Sequence, residues 1–86
     1  MNVPSANPAQ RAWPITPSDT QLVTANVNGV PYARGLLVSA DCTLHVTTLG
    51  GDQLTMPFIK GYNPIAVQQV WATGSNTNGA LLIGLY

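Results

Sequence analysis

Residues 43–59 read TLHVTTLGGDQLTMPFI. Leu44 and Val46 alternate with Thr43, His45 and Thr47, so a strand here presents an apolar row to one side and a polar row to the other. Gly50 and Gly51 break the pattern, and the alternation resumes with Leu54 and Met56 before Pro57 removes a backbone donor. Two strands joined by a glycine turn are expected, the second one at an edge or bent at Pro57.

Outward from this hairpin, turn signals recur at the spacing of a sandwich or barrel. They fall at Asn28-Gly29, Ala40-Asp41, Gly61-Tyr62-Asn63-Pro64 and the polar run from Gly74 to Gly79. Further strands are expected over Gln21–Val27, Ala33–Ser39, Ile65–Thr73 and Ala80–Tyr86. In Ile65–Thr73 the apolar phase slips between Val67 and Val70, which predicts a β-bulge near Gln68 and Gln69 or burial on both faces. Ala80–Tyr86 is apolar on both faces and should lie centrally or in an interface. No segment sustains a helical period. The expected fold is all-β, a small single-domain sandwich or barrel over residues 19–86.

Residues 1–18 contain Pro4, Pro8, Pro14 and Pro17. Each proline removes a donor and disfavours helix at the residue before it, so an extended arm is expected. Trp13 and Ile15 on such an arm need cover, from this subunit or a neighbouring one. Residues 1–21 hold no continuous apolar run of signal-peptide type, and no stretch approaches the roughly 20 apolar residues that span a membrane.

Charged residues make up 7% of the chain, against roughly 25% in an ordinary domain. Glu is absent, and Thr, Ser, Asn and Gln take the places of charged side chains. A surface of amides and hydroxyls is covered by neighbours at less cost than one of unpaired ions. Arg11, Arg34 and Lys60 are scattered along the sequence and the net charge is zero, so no nucleic-acid partner is expected. A domain of 86 residues buries roughly 60 to 65% of its unfolded surface and is marginal alone. Cys42 is the sole cysteine and closes no intrachain disulfide, which leaves self-association as the expected reinforcement, in a symmetric trimer or pentamer.

Catalytic and metal chemistry find little support. Asp19, Asp41 and Asp52 each lie in or beside a turn, where Asp bonds nearby N–H groups, and nothing pairs them as general acid and base. Cys42 and His45 are an odd number of residues apart on a strand, so their side chains diverge and neither a zinc site nor a nucleophilic pair results. The loop from Gly74 to Gly79 has no Lys and precedes a strand, unlike a phosphate loop. Trp71 and Phe58 are expected in the core. No enzyme activity, cofactor or metal is expected. Tyr32, Tyr62 and Tyr86, with Trp13 and Ile15, are the candidates for subunit or partner contact.

The runs Arg34-Gly35-Leu36-Leu37-Val38, Leu44-His45-Val46-Thr47-Thr48 with Gly51-Asp52, Gly61 with Pro64-Ile65-Ala66-Val67, Val70-Trp71-Ala72-Thr73-Gly74 and Leu85-Tyr86 together resemble a family of short virion proteins. These are the head-decoration or head-spike-base proteins of tailed bacteriophages and gene transfer agents. The resemblance runs from Asp19 to Tyr86; Asp41-Cys42 and the longer Ser75-Asn76-Thr77-Asn78 loop depart from it. It implies a non-enzymatic structural protein made in the bacterial cytoplasm and placed on the virion's capsid exterior. The implied partners are the major capsid protein, further copies of the chain, and a spike or fibre protein. A tail or neck component is the alternative, and a carbohydrate-binding module a more distant one.

Overall fold

The computed structural model describes residues 8–86. The chain forms β1 (Ala12–Pro14), β2 (Gly35–Val38), β3 (Cys42–Thr48), β4 (Gln53–Phe58), β5 (Gly61–Asn63), β6 (Val67–Asn76) and β7 (Leu82–Leu85), with no helix among the described residues. Two antiparallel sheets result, one ordered β1-β7-β2-β5 and the other β4-β3-β6. Both turn their apolar rows to one core: Leu36, Val38 and Leu82 from the first sheet meet Leu44, Val46, Phe58, Val67 and Val70 from the second. At one side the sheets are joined by a bridge in which Ala33 and Val67 exchange backbone hydrogen bonds of 3.1 and 2.9 Å. The fold is all-β.

The β3–β4 hairpin follows the alternation in its sequence. Leu44 and Val46 are fully buried, while Thr43, His45 and Thr47 line the outer side. Its turn closes through Thr48 N–H to Asp52 O (2.8 Å), and Gly51 takes a φ of +96° that side chains resist. Pro57 sits on β4, an edge strand, where a missing donor leaves no ladder bond unmade. On β6, Thr47 pairs with Gln69 and Thr48 with Val67, so Gln68 is the extra residue of a bulge. That bulge is why Val67 and Val70 both reach the core.

A second irregularity on β6 lies between the pairs His45–Trp71 and Thr43–Asn76. Here the Ser75 hydroxyl replaces the ladder: it accepts from His45 N–H at 2.9 Å and donates to Trp71 O. Gly74, at φ +89°, lies so close to the His45 ring that a Cβ would stand 3.2 Å from Nδ1.

The sheet extends into the proline-rich arm. The sequence predicts no strand there, yet β1 pairs with β7. Arg11 and Ile15 donate to Tyr86 O and Leu82 O at 2.9 and 2.8 Å, so the alternate position, Pro14, points its missing donor away from the sheet. Trp13 and Ile15 enter the chain's own core, 7% and 8% exposed. The part of the arm before Pro8 lies outside the described residues.

Gln21–Val27, expected as a strand, is instead a run of turns. Ser18 Oγ accepts from Thr20 and Gln21 N–H, Ala25 N–H bonds Leu22 O and Val27 N–H bonds Thr24 O. These local bonds compete with a ladder. Val23 nevertheless reaches the core, and its carbonyl accepts from the Trp13 indole at 2.8 Å.

Candidate functional site

The two outer faces of the sandwich differ in chemistry. The register β1-β7-β2-β5 puts Ala12 and Pro14, Ile83 and Leu85, Gly35 and Leu37, and Tyr62 on the outer side of their sheet. Every one is uncharged, and the Tyr62 hydroxyl is the only side-chain polar atom among them. Leu37 is 40% exposed and Tyr62 54%, and Leu81, just before β7, is 70% exposed. The Tyr62 ring lies across Gly35, where a Cβ would come within 2.5 Å of it. A continuous apolar sheet face of this kind is uncommon on a dispersed monomer.

The opposite face is polar, and its centre is tied together within the chain. His45 stacks on Trp71 with ring centroids 5.4 Å apart, and the Trp71 indole donates to Thr47 Oγ1 at 3.0 Å. Trp71 therefore covers the outer face, not the core: it pairs with His45, an outward residue of β3. Phe58 is in the core, 2% exposed.

At one end of the sandwich the inward rows run past the core. The row of β1 continues to Arg11, that of β2 back to Arg34, and that of β7 forward to Tyr86. With Pro8, Gln10, Gly29 and Tyr32 these residues line an open cleft of about 520 Å³. Tyr32 meets Tyr86 edge to face at 5.3 Å, and the Arg34 guanidinium lies 5.4 Å above the Tyr86 ring. Scattered in sequence, Arg11 and Arg34 thus line one cleft.

The five residues expected at contacts separate into three places. Trp13 and Ile15 serve the core, Tyr62 stands on the apolar face, and Tyr32 and Tyr86 share the cleft. Leu37, Leu81 and Ile83 were not anticipated individually, although the two-sided apolarity of Ala80–Tyr86 carried the signal for Ile83.

The carboxylates of Asp19 and Asp41 accept from backbone N–H groups, whereas Asp52 engages Thr48 through its own backbone. Asp19 accepts from the Thr73 hydroxyl and from Thr73 N–H at 2.8 Å. The hydroxyl bond is the main cause that holds its carboxyl below the ordinary value of 3.8, with the backbone bond second. Asp41 accepts from Lys60 N–H at 2.7 Å, and Asp52 closes the β3–β4 turn. Cys42 is buried on the inward row of β3, opposite in direction to His45, and burial raises its thiol pKa, helped by the Asp41 charge. Among the described residues no group of His, Cys, Asp and Glu could hold a metal ion.

No protein-family model matches the sequence, and no curated protein matches it. Among solved structures the chain is similar to one described as the capsid of a native gene transfer agent (GTA) particle computed with C5 symmetry. The likeness covers 100% of both chains at 27% identity, with a TM-score of 0.70. A full-length match at this identity supports a capsid-associated structural protein.

Proposed function

We propose that this chain is a structural protein of a tailed-phage or gene-transfer-agent head, bound to the outside of the capsid shell as a cement or as the base of a spike. The outer face of β1-β7-β2-β5 carries the reading. It offers apolar area with no charge to desolvate, and in a chain with 7% charge such a face gains most of its free energy from being covered. The full-length likeness to a GTA capsid chain supports a capsid as the assembly that covers it.

The working form is a symmetric homo-oligomer, a trimer or pentamer. Capsid shells present threefold and fivefold axes, and a ring matched to its platform multiplies a weak protomer contact into a durable one. The major capsid protein is the platform, and a spike or fibre protein is a further partner for the side away from the shell.

The test is to locate the protein in purified particles by electron microscopy. Density at symmetry-related positions on the exterior of the head is expected. Density confined to the tail or neck would replace this reading with a tail component.

A further inference from the structure

The cleft at the end of the sandwich has a chemistry that an apolar shell contact does not use. Arg11 and Arg34 are two of the three Lys and Arg residues in the chain. Two of the three Asp carboxylates are held elsewhere, Asp19 by Thr73 and Asp41 by Lys60 N–H, and Asp52 lies in the β3–β4 turn, which is not part of the cleft. Among the described residues the Arg34 guanidinium makes one hydrogen bond, to Pro8 O at 3.3 Å, so most of its donors are free. The Arg11 guanidinium borders Gly29, whose φ of +78° and missing side chain keep that wall open.

We propose that this cleft binds a carboxylate side chain on an extended segment of a partner protein. A guanidinium presents a planar fork that fits a carboxylate bidentately, and the Arg34 guanidinium rests 5.4 Å above the Tyr86 ring, at the wall of the cleft. Tyr32 and Tyr86 supply apolar walls for the stem and backbone beside the carboxylate. Tyr86 O accepts from Gln10 and Arg11 N–H at 2.6 and 2.9 Å, and Arg34 N–H bonds Leu85 O at 2.7 Å, so backbone hydrogen bonds position Gln10, Arg11, Arg34 and Tyr86 before binding.

A peptide suits this site better than a nucleic acid. Two cations converge at one cleft and do not form a track, whereas polyanion affinity grows with the number of phosphates neutralised. A cleft of about 520 Å³ takes a few side chains, within the usual range of small-ligand sites. The proposal concerns a surface separate from the apolar face and does not depend on where the protein sits in a particle.

The test is an NMR titration of the isotope-labelled full-length protein with a blocked Gly-Asp-Glu-Asp-Gly peptide. The controls are its Gly-Asn-Gln-Asn-Gly counterpart and a single-stranded ten-nucleotide DNA. Saturable shifts at the Arg11 and Arg34 side-chain N–H signals and at Tyr32 and Tyr86 are expected with the acidic peptide alone. Because exposed ion pairs are individually modest, R11Q and R34Q should each weaken binding by roughly three- to fivefold, with R34K intermediate because an ammonium lacks the fork. Spectra of the free variants establish that each remains folded. Absence of saturable shifts, equal shifts with the neutral peptide, or tighter binding of the DNA would overturn the proposal. None of those results bears on the capsid location, which the particle images decide separately.

Discussion

Gly84 and Trp13 form one packing unit. A Cβ at Gly84 would lie 2.7 Å from the Trp13 ring and 2.9 Å from Ile15 Cδ1, so the absent side chain is the seat on which the arm docks. G84A is expected to destabilise the protein by about 1–3 kcal/mol through overpacking. W13A should lose about 3–5 kcal/mol, since it leaves a cavity and an unpaired Val23 carbonyl. Urea denaturation measures both, and a G84A protein as stable as the parent would show that the ring does not sit there. Asp19 yields a pH prediction. Its carboxyl titrates below the ordinary 3.8 because Thr73 bonds the charged form. Between the lowered value and the ordinary one the folded chain binds fewer protons than the unfolded chain, so stability rises with pH through that window. The contribution is fully present above about 4 and is lost as pH falls through the folded pKa. D19N should remove this acid limb from the pH dependence of Tm while leaving the neutral-pH profile flat; an unchanged limb would refute the assignment.

β1 turns the arm from an appendage into part of the sheet. Deleting residues 2–18 removes Trp13 and Ile15 from the core and uncovers the edge of β7, so the truncated chain is expected to lose its cooperative thermal transition and not merely its partner contacts. A truncated chain with a parental circular-dichroism melt would make the strand dispensable. The sequence makes some elements legible and hides others for physical reasons. β3, β4 and the bulge at Gln68 can be read because their apolar phase is local: Leu44 and Val46 share a parity, and the odd step from Val67 to Val70 needs an inserted residue. The central place of β7 follows from apolarity on both sides. β1 is hidden because prolines remove local strand signals, while Pro14 is harmless only at the outward position that β7 assigns to it. Gln21–Val27 misleads because Ser18 and the carbonyls of Leu22 and Thr24 close turns that composition does not reveal. β5 is concealed in the run Gly61-Tyr62-Asn63-Pro64, which has turn composition but pairs with β2. The cleft is the least legible feature. Arg11, Arg34 and Tyr86 meet only because β7 lies between β1 and β2, an order set by long-range pairing.

The molecule has one face that assembly favours and one that water favours, and this asymmetry leads to the prediction for the intact particle. Leu37, Tyr62 and Ile83 lie on neighbouring strands β2, β5 and β7 and project from the same side. Fully burying such side chains contributes about 1.5–3 kcal/mol each as an upper range, and partial exposure in the free chain reduces the gain for Ile83. Repeated around the proposed ring, even a fraction of that would give a contact that persists when single protomers would dissociate. The core does not depend on these side chains, so L37D combined with I83T should leave the fold intact and abolish both self-association in sedimentation and retention on particles. Salt separates this mechanism from an ionic one. Raising ionic strength from about 0.1 to 1 M shortens the screening length from roughly 10 to 3 Å, which weakens ion pairs but leaves apolar burial intact or stronger. Wild-type protein should therefore stay on heads at 1 M salt, with at most the severalfold weakening that loss of one carboxylate contact in the Arg11–Arg34 cleft would cause. Release at moderate salt, or an L37D/I83T protein that assembles like the parent, would mean that the apolar face of β1-β7-β2-β5 is not the surface that joins the particle.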